Sequence, residues 1–291
     1  MDQADRLRNL LNRNTAAGEA IDKPARVIAI TSGKGGVGKS NFTVNLALYL
    51  MRKNIRVVIL DADFGLANIE ILLGVAPRLS MIDVINSNYS IDQVITQTDS
   101  GINFISGGSG LSMLANMDNY QLSLITDKLA NLDRFADIIL IDTGAGISET
   151  VMQFVAAAGE AIVVCAPEPT SITDAYSLIK ASKERAGEMP RFRIVINRVE
   201  DREEGMDIFK NLQRVSGKFL SVNLDYLGAI PYDNNLVKAV KRQVPCMASF
   251  PNSAFSAEIS NIGAKILDIG KEKSSSGMRG FMRRLANILN R

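Results

Sequence analysis

Short apolar, β-branched runs alternate along this chain with longer stretches in which apolar positions recur every three or four residues. Five runs read as strands: Arg26–Thr31, Val57–Leu60, Ile138–Ile141, Ala161–Cys165 and Arg193–Asn197. Two weaker runs, Ile102–Ser106 and Tyr226–Ile230, join them. Helical spacing fills Asn41–Arg52, Asn119–Leu132, Thr170–Ala186 and Met206–Ser216. Strands that are apolar along nearly their whole length are buried on both faces, which requires helices on each side. The pattern therefore predicts one α/β domain over residues 24–270, with a mostly parallel, twisted sheet and helices on both faces. Residues 1–23 carry a short helical pattern (Leu7, Leu10, Leu11) and then the small, polar stretch Asn14–Gly18, which reads as a linker. Residues 271–291 hold a polar tether, Lys271–Gly277, and a final amphipathic stretch.

Composition narrows the chemistry. At 291 residues and 46% hydrophobic, the chain can bury a sizeable core. No apolar run reaches the roughly 18–20 residues of a membrane span, and the N-terminus lacks a signal-peptide core, so the expectation is a cytoplasmic protein. Cys165 and Cys246 give neither metal-ligand spacing nor a disulfide framework. The chain has no histidine, which excludes a serine–histidine triad, a histidine base and histidine-ligated zinc. Any catalysis falls to carboxylates, lysines, backbone amides or a hard metal ion held by oxygen. Net charge is +2, but residues 277–291 hold four arginines and no acid, leaving −2 for the remainder (29 basic against 31 acidic). That balance argues against a nucleic-acid clamp, and no specific nucleic-acid partner is expected.

The strongest motif is Gly33-Lys34-Gly35-Gly36-Val37-Gly38-Lys39-Ser40, which fits G-x-x-x-x-G-K-[ST] between an apolar strand and a helix. Its glycines let successive N–H groups face phosphate oxygens, with the positive helix N-terminus behind them. Lys39 is placed to neutralise the β- and γ-phosphates and Ser40 to ligate Mg²⁺. With Asn41 next in line, residues 33–41 are the expected nucleotide cradle. Ligands of parallel sheets bind at the carboxyl ends of strands, where VVILDADFGLAN places Asp61 and Asp63, and DIILIDTGAGIS places Asp142. An acid buried there needs a cation or donors, and beside a triphosphate Mg²⁺ supplies that charge. For Asp61 a helix-capping role is the competing reading.

The second lysine, Lys34 within GKGGVGKS, makes the loop resemble the deviant Walker A motif of MinD/ParA-type P-loop ATPases, the SIMIBI class. The resemblance implies an ATP-dependent homodimer in which Lys34 reaches the phosphates of the other subunit, with ATP hydrolysed to ADP. It also implies that Asp142 is the Walker B residue holding Mg²⁺. Asp63, with a share in the metal site, positions the attacking water, while Asp61 belongs to the same switch and Gly144 and Gly146 to a second one. By the same likeness Asn197 contacts adenine, and Pro231 and Asp233 of GAIPYDNNL lie along the base. The guanine-specific Asn-Lys-x-Asp motif is missing after Asn197, which favours ATP.

In GMRGFMRRLANILNR, Met278, Phe281, Met282, Leu285, Ile288 and Leu289 form one apolar stripe bordered or opposed by Arg279, Arg283 and Arg284. As a helix it spans about 22 Å, too short to cross a bilayer. A basic amphipathic helix on a tether reads as an in-plane anchor to anionic membrane lipids, strengthened when two are joined in a dimer. Docking on its own domain in the monomer, with release in the dimer, is compatible with that reading.

At the other end, Asp2-Gln3-Ala4-Asp5-Arg6-Leu7-Arg8 resembles the DQAxxLR activator motif of the FlhG (YlxH/FleN) family of flagellar-number regulators. Ser40-Asn41 and the DADFGLANIEILLG segment share the likeness. It implies that Asp2, Gln3, Ala4, Leu7 and Arg8 activate an FlhF-type GTPase, with Gln3 supplied to the composite site. Flagellar C-ring proteins are further implied partners, and the implied location is reversible, at the inner face of the cell membrane. A MinD-type division-site ATPase and a ParA-type DNA-segregation ATPase are the alternatives.

Overall fold

The computed structural model describes residues 24–63, 68–87, 89–107, 117, 119–185, 189–269 and 276–289. The N-terminal segment, most of the tether and part of the loop after Asp63 lie outside these residues. Eight strands form one sheet: β1 (Arg26–Ser32), β2 (Val57–Ala62), β3 (Thr96–Gln97), β4 (Asn103–Ser106), β5 (Ile138–Ala145), β6 (Glu160–Cys165), β7 (Arg191–Val199) and β8 (Asp225–Pro231). Their order is β3-β4-β2-β5-β1-β6-β7-β8. Every pairing is parallel except that of the two-residue edge strand β3 with β4. All seven predicted strands are present. β3 escaped prediction because two residues carry no periodicity.

Alternate residues of each strand feed two separate cores. Ile28, Ile30, Ile59, Leu140 and Ile162 face a cluster completed by α1 (Lys39–Arg52) and α11 (Ala254–Ile269). Val27, Ala29, Val58, Leu60, Ile139 and Val163 face the other, completed by α5 (Asn119–Ala130), α6 (Glu149–Ala158), α7 (Pro169–Arg185) and α8 (Arg202–Leu220). Shorter helices fill the connections: α2 (Asn68–Leu73), α3 (Met81–Asn86), α4 (Ile91–Val94), α9 (Asn234–Lys241) and α10 (Cys246–Ser249).

The last helix, α12 (Gly277–Leu289), packs against α5 and α6. Met278, Phe281, Met282 and Leu285 are at most 1% exposed, and Phe281 meets Phe154 of α6 with ring centroids 5.8 Å apart. Ile288 and Leu289 are partly buried against the same core, whereas Arg283 is exposed. Asp133 accepts from the Met278 N–H at 2.8 Å, starting the helix. Arg284 donates to the Ala157 carbonyl, and Arg279 pairs with Asp127 at 3.4 Å. The stripe read from sequence is real, and here its occupant is the domain's own surface.

Candidate functional site

The site forms where β1, β2 and β5 end together. Register sets Asp61 of β2 directly beside Asp142 of β5, one strand away from the loop that leaves β1. That loop turns through Gly36 and Gly38, both at positive φ (78° and 93°), and enters α1 at Lys39. Gly38 also has a packing reason: a Cβ there would lie 2.4 Å from the Asn197 amide nitrogen. Gly33 is packed harder still, its Cβ position 2.2 Å from the Asp174 carbonyl carbon in α7.

Three donors converge on Asp142, which is fully buried. The Ser40 hydroxyl donates to Oδ2 at 2.6 Å, the Thr43 hydroxyl to Oδ1 at 2.7 Å, and the Lys39 ammonium lies 3.2 Å from Oδ2. Without them an ionised carboxylate at this depth would be prohibitively costly. Thr43 was not singled out in the sequence, although it stands three residues after Ser40 on the same helical face. Hard oxygens of Ser40 and Asp142 within hydrogen-bond distance, at a helix N-terminus, suit a Mg²⁺–phosphate pair.

Asp61 is 3% exposed and accepts backbone N–H groups from Asp63 (3.0 Å) and Ile69 (3.3 Å). It thus anchors the start of α2 from a position seven residues before the helix, and not as that helix's own N-cap. Burial first, and then the neighbouring Asp142 charge, push its carboxyl up to about 7. Asp63 stands nearer the surface and accepts from the Asn68 side chain at 2.9 Å. Residues 64–67, which follow in the expected switch segment, lie outside the described residues. Gly146, expected in a second switch, is at φ 92° and donates its N–H to the Ser32 carbonyl.

Where Lys39 pairs with Asp142, Lys34 takes different partners. Its amine reaches Glu168 Oε2 at 2.6 Å and the Thr170 hydroxyl at 3.1 Å, on the segment after β6. Both members of the ion pair are about half exposed, at 40% and 54%. The hydrogen bond and charge of Lys34 hold the Glu168 carboxyl below its ordinary value. No sequence signal named Glu168, which is 134 positions distant.

Among the residues expected at the base, Asn197 is buried and donates its amide to the Val37 carbonyl at 2.7 Å, bracing the phosphate loop. Asp233 caps α9 by accepting from the Asn235 N–H and also accepts from the Phe255 N–H. Both have structural duties in this state that the sequence did not reveal.

A parallel sheet with a glycine-rich loop between its first strand and helix, and a strand-end aspartate facing that helix, defines a P-loop nucleoside triphosphatase. A family model described as "ParA: NUBPL iron-transfer P-loop NTPase" matches residues 23–267. The chain belongs to the ParA/MinD family of P-loop NTPases. It is similar to the antiactivator FleN of Pseudomonas aeruginosa, 40% identical over 243 residues, covering 84% of this chain and 86% of FleN. The flagellum site-determining protein YlxH of Helicobacter pylori is 33% identical over 295 residues, covering 99% of both chains. In fold it is similar to the septum site-determining protein MinD of Pyrococcus horikoshii complexed with Mg-ADP. There the TM-score is 0.66 at 22% identity, covering 84% of this chain and 97% of that one.

Proposed function

We propose that this chain is an ATP-driven switch that pairs with a second copy, attaches to a membrane when paired, and sets the number or position of flagella. The observation that carries the pairing is the placement of Lys34. It is a partly exposed cation of the phosphate loop, held by exposed Glu168 and Thr170 and not by Asp142. Breaking that exposed pair costs about 1 kcal/mol or less, so a partner's triphosphate can compete for the amine.

Within each subunit, Gly33–Ser40 cradle the phosphates and Lys39 leaves Asp142 to neutralise them. Ser40 and Asp142 would hold Mg²⁺, which would screen the charge on the phosphate oxygens. Asp63, near the surface beside the switch, orients the attacking water. Asn197 and the Pro231–Asp233 segment border the base. The fold similarity to MinD with Mg-ADP supports the nucleotide and the ion.

Membrane attachment uses α12. Releasing Met278, Phe281, Met282 and Leu285 exposes four large apolar side chains, at roughly 6–12 kcal/mol in water. The helix therefore leaves its seat when lipid replaces the lost burial and pairing supplies two such helices at once. Residues 1–23 act on an FlhF-type GTPase, with flagellar C-ring proteins as further partners. The similarity to FleN and end-to-end coverage of YlxH favour this over a role in division.

The experiment is sedimentation of the full chain with ADP or a non-hydrolysable ATP analogue, with and without vesicles of anionic lipid. Pairing and vesicle binding with the analogue, both lost in Lys34→Ala, are expected; monomers throughout would sink the proposal. Peptide 1–23 should raise GTP hydrolysis by an FlhF-type GTPase, and no increase would remove that partner.

A further inference from the structure

Two clefts lie side by side on the outside of the domain. One of about 1080 Å³ runs between α3 and α5; another of about 290 Å³ runs between α4 and the turn that follows α5. Lys128 and Asn131 line both, so they make one groove. Its walls are fixed, because the Lys128 ammonium donates to the Val84 carbonyl at the end of α3 and to that of Ser87. Apolar side chains stand along it uncovered: Leu124 is 48% exposed, Phe135 39% and Tyr89 38%. One turn before Leu124, Tyr120 extends the same face of α5.

The chain enters the sheet at the foot of this groove. The Ala25 N–H donates to Asp133 at 3.3 Å, within the turn Asn131–Arg134 whose first and last residues line the smaller cleft. The 23 residues before Pro24 carry Leu7, Leu10 and Leu11 at i, i+3 and i+4. The twelve residues between Leu11 and Pro24 reach up to about 40 Å. A single helix of about a dozen residues is marginal in water and gains stability by laying its apolar face on a surface. The exposed acid Asp92 on the rim, which has no ion pair among the described residues, complements Arg6, Arg8 and Arg13 of the segment; Asp127, also on the rim, already pairs with Arg279.

We propose that the groove between α3–α4 and α5 receives the Leu7–Leu10–Leu11 face of the chain's own N-terminal segment. The segment is then stored on the domain beside α12, and a protein that uses it must first compete it away. This goes beyond the proposed function and stands whether or not the segment acts on a GTPase.

The test uses the full chain carrying Leu10→Cys and Leu124→Cys, the native cysteines both being buried. Mild oxidation should close a disulfide within one chain in most molecules. A control pair, Leu10→Cys with Asn261→Cys on α11 across the sheet, should close at least tenfold less. In an otherwise native chain, Leu124→Asp should speed trypsin cleavage after Arg8 and Arg13 at least threefold while leaving the melting temperature unchanged. Equal crosslinking of both pairs, crosslinks between molecules alone, or unchanged cleavage each overturn the proposal. So does unaltered amide exchange along Asn119–Ala130 when residues 1–23 are removed, since the groove would then have another occupant.

Discussion

Asp142 shows how one residue ties stability to chemistry. Its charge is held by Lys39, Ser40 and Thr43, so Lys39→Ala removes the one cation among three donors. Two hydroxyls remain, which keeps the loss near the lower end of a broken buried pair, about 3 kcal/mol. Urea unfolding should register that, and titration with a fluorescent ATP analogue should show binding weakened at least a hundredfold. Asp233 makes the opposite case. Burial pushes its carboxyl up, but hydrogen bonds from Phe255, Asn235 and Ser253 outweigh that and hold it below its usual value. Its contribution is present above the unfolded carboxylate range and lost as pH falls through the lower folded value. Asp233→Ala should therefore cost about 1 kcal/mol at pH 7, and the difference from the native chain should shrink below about pH 4. Urea melts at both pH values check it. The meeting of Lys39 and Ser40 of the glycine-rich loop with Asp142 at a strand end was legible in the sequence. Glu168 and the bracing role of Asn197 were not, because each meets its partner across more than 130 positions.

Helix α12 marks the limit of periodicity as evidence. A stripe at 3.6-residue spacing says that a face is buried and is silent on what buries it. Here the covering surface is α5 and α6, so Phe281→Ala should destabilise the nucleotide-free protein by about 3–5 kcal/mol in urea unfolding; a helix free in solution would give almost none. Other elements escaped for plainer reasons. The ten residues of α6, ETVMQFVAAA, are mostly apolar and span fewer than three turns, too short a run to tell a buried helix from a buried strand. The six residues of α2 and α3 and the four of α4 are too short for a period to repeat. The strands were easier because the buried parallel sheet demands unbroken apolar runs.

For the whole molecule, the proposed function makes nucleotide state a question of subunit number. Asp63→Ala should leave folding intact and slow phosphate release at least tenfold. A chemical-quench assay measures the rate, and vesicle sedimentation with ATP should find the variant retained where the native chain comes off. Normal turnover in that variant would remove Asp63 from the reaction. Deleting 277–291 should abolish vesicle retention, read by the same sedimentation, and lower the melting temperature because the α5–α6 face loses its cover. Asp133 has a reach at this scale that its place in a surface turn conceals. It accepts from Ala25, where the domain begins, and from Met278, where the last helix begins, and the Cβ position of Gly277 lies 2.2 Å from its carboxylate. Both tails of the molecule are thus moored to one side chain. A load pulling on either tail strains the other's mooring, and Asp133→Asn would slacken the two together.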